Sequence, residues 1–145
     1  DELSKPAIWA LQPPFCLITC DVDYFKQVND THGHLIGDQV LQGIASRLQG
    51  QLRQGTHAYR YGGEEFVVIL TETTQSGAVD VAERLRRTID QEAFSTEAGD
   101  IRVTCSFGVA QQESTTDNDA RSVLKRADQA LYEAKRKGRD RVIAL

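Results

Sequence analysis

No methionine occurs in the 145 residues, which begin at Asp1. Lacking an initiator, the chain reads as a processed product or a piece of a larger, regulated protein. Cysteine is scarce: Cys16, Cys20 and Cys105 are the full set. Their number is odd, no CxxC pair occurs, and no second pair completes a zinc set. They read as reduced, buried thiols of a cytosolic protein, not as a disulfide framework. No apolar run approaches the ~20 residues that span a bilayer, and no signal peptide is visible. A basic excess is lacking too, since the formal charge is −4 and the pI about 5.4. That argues against a nucleic-acid partner or a membrane contact, whose footprints are basic. Repeats and low-complexity tracts are absent.

What remains is 40% apolar and 26% charged residues, the balance of one soluble domain with a sizeable core. Residues 1–14 form a lead-in whose Pro6, Pro13 and Pro14 permit a helical turn around Ala7 to Leu11 and little more. The folded domain is expected over 15–145. "FCLITCDV", Phe15 to Val22, is a short apolar run ending in acid, as in a buried strand. A short helix and a loop through Gly33 and Gly37 follow. From Asp38, placed in or near a first turn, Val40, Leu41, Ile44, Ala45, Leu48 and Leu52 form a helical stripe. His57–Tyr61 and Glu64–Leu70 read as strands joined by a two-residue Gly62-Gly63 hairpin. Ala78, Val81, Ala82, Leu85 and Ile89 mark a second helix. Ile101–Ala110 alternates as a half-buried strand. Asp119–Lys137 is a third helix with Gly138 at its C-cap, and Arg141–Leu145 a last strand. This order predicts a split βαβ arrangement with helices on one face of a sheet.

The chemistry concentrates in "RYGGEEFVVIL", Arg60 to Leu70. Two carboxylates beside an apolar strand are costly unless paired or metal-bound. Asp21 ends the first strand, and Asp23 follows two residues later. If the two strands are neighbours, the four acids converge at one sheet edge. Hard oxygens without soft ligands suit Mg²⁺, and glycines let a ligand approach the backbone. The plainer alternative is strand-end acids facing water. Lys135 and Arg139, with Arg136, Lys137 and Arg141, suit any helix C-terminus. They also suit phosphate, for which Arg offers a fork and Lys a point charge. Asn29 and Asp38 can pair with a guanine edge, or can serve ordinary turns. His32 and His34 lack a third ligand and read as loop or packing histidines.

Three stretches in order, "DVDYFKQVNDTHGHLIGDQVL", "RYGGEEF" and "LKRADQALYEAKRKGRDRV", resemble the GGDEF-domain diguanylate cyclases. The resemblance runs from about Phe15 to the C-terminus, with Gly-Gly-Glu-Glu-Phe as the signature. It implies an α+β nucleotide-cyclase palm: a mostly antiparallel sheet of about five strands flanked by helices, with a ferredoxin-like βαββαβ core. It implies condensation of two GTP into cyclic di-GMP and two pyrophosphates, across a homodimer of facing domains in a bacterial cytoplasm. An upstream sensory or dimerisation region is expected with it. By the motif, Asp21, Glu64 and the Val22 carbonyl hold Mg²⁺, with Mn²⁺ as an alternative. Asn29 and Asp38 read guanine. Phe25 and Lys26 cradle phosphates beside Gly62 and Gly63, and Lys135 and Arg139 take the outer phosphates. Glu65 assists deprotonation of the ribose 3′-hydroxyl.

Two departures stand out. The family's Asp-x-Leu-Thr-x-Leu…Asn-Arg opening is matched only by the start of Asp1-Glu2-Leu3-Ser4. Members with an inhibitory site carry Arg-x-x-Asp just upstream of the signature, where this chain has Arg53-Gln54-Gly55-Thr56. Arg53 remains but the acid does not, which implies weak or absent feedback inhibition through that site. Two other readings share these motifs: a GTP- or cyclic di-GMP-binding module without catalysis, and a nucleotide cyclase with another product.

Overall fold

The computed structural model describes residues 15–113 and 120–145. The expected lead-in of residues 1–14 and the helix start at Asp119 lie outside them. In chain order the elements are β1 (Phe15–Val22), α1 (Phe25–His32), α2 (His34–Gly50), β2 (Ala58–Arg60), β3 (Glu65–Thr71) and α3 (Gln75–Gln91). There follow β4 (Phe94–Thr96), β5 (Gly99–Ile101), β6 (Cys105–Gln111), α4 (Ala120–Arg136) and β7 (Val142–Ala144). Five strands form one sheet in the order β2-β3-β1-β6-β7. β1 runs antiparallel to both β3 and β6, β2 antiparallel to β3, and β7 parallel to β6. Strands β1, β2, β3 and β6 with their crossover helices make the βαββαβ core that was expected.

Helices cover both faces of the sheet, not one. The alternation of β1 shows how. Cys16, Ile18, Cys20 and Val22 enter a core shared with Val40, Ile44 and Leu48 of α2 and Ala82, Leu85 and Ile89 of α3. Phe15 and Leu17 point the other way, against Ala120, Val123 and Ala127 of α4. A strand covered on both sides reads as a continuous apolar run. For the same reason β6 is buried from Cys105 to Ala110 instead of half-buried. Gly108 lets α4 lie close, because a Cβ there would collide with the Ala127 carbonyl. Thr19 Oγ1 donates to that carbonyl at 3.0 Å, which satisfies a buried hydroxyl.

Three boundaries differ from expectation. Ile101–Ala110 is not one strand: Ile101 ends β5, which pairs with β4, and β6 begins at Cys105. α2 begins at His34, so the loop through Gly37 is helical and Asp38 lies beyond the first turn. The third is the glycine hairpin, described below. The cysteines behave as read: all three are free and buried, and burial pushes the Cys16 thiol up to about 11.

Candidate active site

The pairing of β1 with β3 sets Asp21 directly opposite Glu65. Glu64 belongs to the turn before β3. Tyr61 N donates to the Glu65 carbonyl at 2.7 Å, and Glu65 N to the Gly62 carbonyl at 2.9 Å. The hairpin loop is therefore three residues, Gly62 to Glu64, and not two. Gly62 and Gly63 take φ of 84° and 51°, which a side chain would resist. The added residue swings Glu64 out of the strand, while its carbonyl still faces the Val22 amide at 3.4 Å.

Asp21 is 3% exposed. Its Oδ2 accepts from Lys135 Nζ at 2.6 Å, and its Oδ1 is buried with no partner. Burial raises its pKa to about 6, against the pull of Lys135, and Glu64 and Glu65 add to the rise. Glu65 is raised as well, by burial first and then by Asp128, with Lys135 opposing. Negative charge thus gathers around an orphaned oxygen, and a cation relieves both. Among the described residues no group of three or more His, Cys, Asp and Glu side chains converges for a metal. Magnesium needs fewer, since it binds through one or two carboxylates and keeps room for water and substrate phosphates. The residues present fit it: Asp21 and Glu64 as carboxylates, with the Val22 backbone beside them.

Asp23 does not join this group. Its oxygens are taken by Thr104, Ser106 and the Asp140 amide. The expected convergence of four acids does not form: Asp21 and Glu65 face each other across the strands, Glu64 stands in the turn beside them, and Asp23 is held elsewhere.

Beside the acids lies a cleft of about 300 Å³ that brings Phe25, Lys26, Asn29 and Asp38 together with Gly63 and Glu64. Asn29 Oδ1 is buried there without a partner. Gly37 makes room for it, because a Cβ at that position would strike the Asn29 amide oxygen. The Lys26 ammonium is turned outward to Asp30 at 2.8 Å. His34, read from sequence as a loop or packing residue, lines the cleft, as do Leu41 and Arg60. Arg60 Nε donates to the Gly63 carbonyl at 2.8 Å and steadies the turn. Only the hairpin pairing reveals that role. A larger groove of about 700 Å³ runs along α4 past Leu124 and Tyr132, but Asp21, Glu64 and Glu65 do not line it.

The basic cluster sorts itself. Lys135 reaches Asp21, the Arg139 guanidinium lies 4.6 Å from the Tyr24 ring centre, and Arg136 pairs with Glu133 on the helix surface. Arg53 stands in a separate cavity of about 290 Å³ with Thr56 and Arg84. Arg84, which comes from α3, was not foreseen, because nothing local in its sequence marks it.

A ferredoxin-like α+β palm, with Asp21 opposite Glu65 at one end of its strands and a small polar cleft lined by Lys26, Asn29, Asp38 and Arg60 beside Glu64, sets the class of the domain. Comparison with known proteins sharpens that class. The family described as "Diguanylate cyclase, GGDEF domain" matches residues 3–141. Diguanylate cyclase A of Treponema denticola is 42% identical over 126 residues, covering 87% of this chain and 34% of that protein. The active GGEEF domain of a Vibrio cholerae diguanylate cyclase superposes with a TM-score of 0.83 at 35% identity, covering 90% of this chain and 82% of that one. Diguanylate cyclase SiaD of Pseudomonas aeruginosa, solved with its activator SiaC, gives a TM-score of 0.84 at 39% identity, covering 91% and 50%. The chain belongs to the GGDEF family of diguanylate cyclase domains. It spans between 18% and 38% of the length of the first curated relatives it matches.

Proposed function

We propose that this domain condenses two GTP into cyclic di-GMP with release of two pyrophosphates. The observation that carries the reading is the unpartnered Asp21 oxygen, set between Glu65 and a cleft holding Asn29 and Asp38. Mg²⁺, or Mn²⁺ in its place, supplies Lewis-acid stabilisation of charge on the phosphates and lowers the pKa of a ribose hydroxyl. Asp21, Glu64 and the Val22 carbonyl would hold it. The chain's own residues do the rest. Asn29 and Asp38 orient guanine through its amide edge. Phe25, Lys26 and the open backbone at Gly62 and Gly63 receive the phosphates. Lys135 and Arg139 offset the charge that gathers as the α-phosphate is attacked. Glu65, whose pKa burial and then Asp128 raise above the ordinary carboxylate value, is the base that accepts the 3′-hydroxyl proton.

One cleft holds one GTP, so the second arrives on a facing copy. Homodimerisation then supplies proximity, and an upstream sensory or dimerising region would set it. The setting is the bacterial cytoplasm, in keeping with three free, buried thiols. The Arg53 cavity is the remnant of an inhibitory site for cyclic di-GMP, weakened because Thr56 supplies no carboxylate.

The test is direct. The domain, fused to a dimeriser, is incubated with GTP and Mg²⁺, and the products are separated by chromatography. Cyclic di-GMP is expected. Tight GTP binding with no product would assign a binding module instead, and another cyclised nucleotide would assign a different cyclase.

A further inference from the structure

Asp23 is buried, and both of its oxygens are spent. Ser106 Oγ donates to Oδ1 at 2.7 Å, while Thr104 Oγ1 and the Asp140 amide donate to Oδ2 at 2.6 and 3.0 Å. Asp140 directly follows Arg139. The two have φ of 46° and 64°, and Tyr24, which follows Asp23, has φ of 56°. They are three of the four non-glycine residues with positive φ among those described. Left-handed backbone at residues bearing side chains persists only where the surroundings over-determine it. Here they do. Asp23 grips the Asp140 amide, Arg86 pairs with the Asp140 carboxylate at 3.0 Å, and Arg139 N donates to the Ala134 carbonyl at 2.9 Å. The Arg139 side chain is then braced on the Tyr24 ring.

We infer that Asp23 is a positioning residue, which through the Asp140 amide fixes the turn after α4 and so holds Arg139, braced on Tyr24, toward the triphosphate. The inference rests on the reading of Arg139 as a phosphate contact. A free arginine loses much rotamer freedom on binding an anion. One whose backbone is pinned and whose guanidinium is already stacked loses less. The device also ties the two ends of the site together. Asp23 lies two residues after the metal ligand Asp21, and its grip sets the phosphate-binding corner at a fixed distance from that ligand.

The experiment is a double-mutant cycle. Binding of the α,β-methylene analogue of GTP with Mg²⁺ is measured by calorimetry for the wild type, Asp23→Ala, Arg139→Ala and the double variant. Arg139→Ala should weaken binding about tenfold or more, as loss of a charge-assisted contact does. Asp23→Ala should weaken it by a comparable factor, and the double variant by no more than about twofold beyond Arg139→Ala. Asp23→Asn keeps an oxygen for the Asp140 amide and should bind nearly as the wild type. Full additivity in the double variant, or wild-type binding by Asp23→Ala, overturns the inference. Wild-type binding by Arg139→Ala sinks the phosphate assignment beneath it. If Asp23→Ala does not fold, Tyr24→Leu carries the same cycle, since Tyr24 is 57% exposed. Its effect should vanish in the Arg139→Ala background, and an effect that survives there overturns the inference as well.

Discussion

Lys135 Nζ lies 2.6 Å from Asp21 Oδ2, while the other oxygen of the same carboxylate is buried and bonded to nothing. The lysine satisfies half of an anion whose other half is left for a second cation. The two roles assigned to the pair, metal ligand and phosphate contact, meet at one hydrogen bond. A bound nucleotide would draw Lys135 toward phosphate and the cation toward Asp21.

The first consequence is a pH dependence of stability without divalent cation. The Asp21 carboxyl is raised in the fold from 3.8 to about 6. A group raised in this way stabilises the fold at low pH and loses that contribution as pH rises through the folded value. Thermal melts of the metal-free chain should therefore show Tm falling between about pH 4 and about pH 7, and Asp21→Asn should flatten that slope. Adding Mg²⁺ near neutral pH should raise the wild-type Tm and leave Asp21→Asn unmoved. An unchanged slope in the variant would mean that another group carries it.

Glu64 and Glu65 are adjacent in sequence but differ in place, one in the turn and one paired across from Asp21. Their amide variants should differ too. Glu64→Gln should abolish turnover and weaken the Mg²⁺-dependent part of GTP binding. Glu65→Gln should lower kcat by about a hundredfold, as loss of a general base does, with GTP binding nearly intact. Product formation and calorimetry separate the two. Near-normal turnover in Glu64→Gln would remove it from the metal site.

The sequence made the palm legible because its strongest signals were local. The apolar run before Asp21, the paired glycines before the acids and three amphipathic stripes each mark an element by themselves. The second helical layer was hidden because a strand buried on both faces shows no alternation, and nothing in "FCLITCDV" tells one layer from two. Gly37 suggested a loop, yet it lies within α2, where its missing side chain accommodates Asn29. Asp23 looked like a fourth member of the acid cluster because spacing cannot show that Thr104, Ser106 and Asp140 already claim it. Arg84 stayed invisible because only the packing of α3 sets it beside Arg53.

That cavity yields the next prediction. Arg53 and Arg84 face a space with Thr56 where a carboxylate would be the complementary partner. Thr56→Asp should place an acceptor for a guanine edge between two cations. Inhibition of turnover by cyclic di-GMP should tighten by about tenfold or more, the gain of a charge-assisted hydrogen bond. Arg53→Ala added to that variant should reverse the gain. A submicromolar inhibition constant in the wild type, lost on Arg53→Ala, would defeat the view that this site is weak.

Gly37 tests the guanine assignment without touching a side chain assigned to it. A Cβ there would meet the Asn29 amide oxygen and crowd the Phe25 ring. The residue is helical with no positive φ, so alanine suits its backbone and even raises helix propensity. The strain therefore falls on Asn29, which must turn away from the cleft. Gly37→Ala should keep its fold, with a Tm within a few degrees of the wild type, because the displaced group lies at a cleft and not in the sealed core. Its affinity for GTP should fall by about tenfold, and its preference for GTP over ATP should narrow, since a site that reads a hydrogen-bonding edge discriminates through that edge. Asn29→Ala should reproduce the same narrowing, and the two changes together should add little to either. Undiminished selectivity in Gly37→Ala, with Asn29 shown by crystallography to have moved, would take guanine recognition away from Asn29.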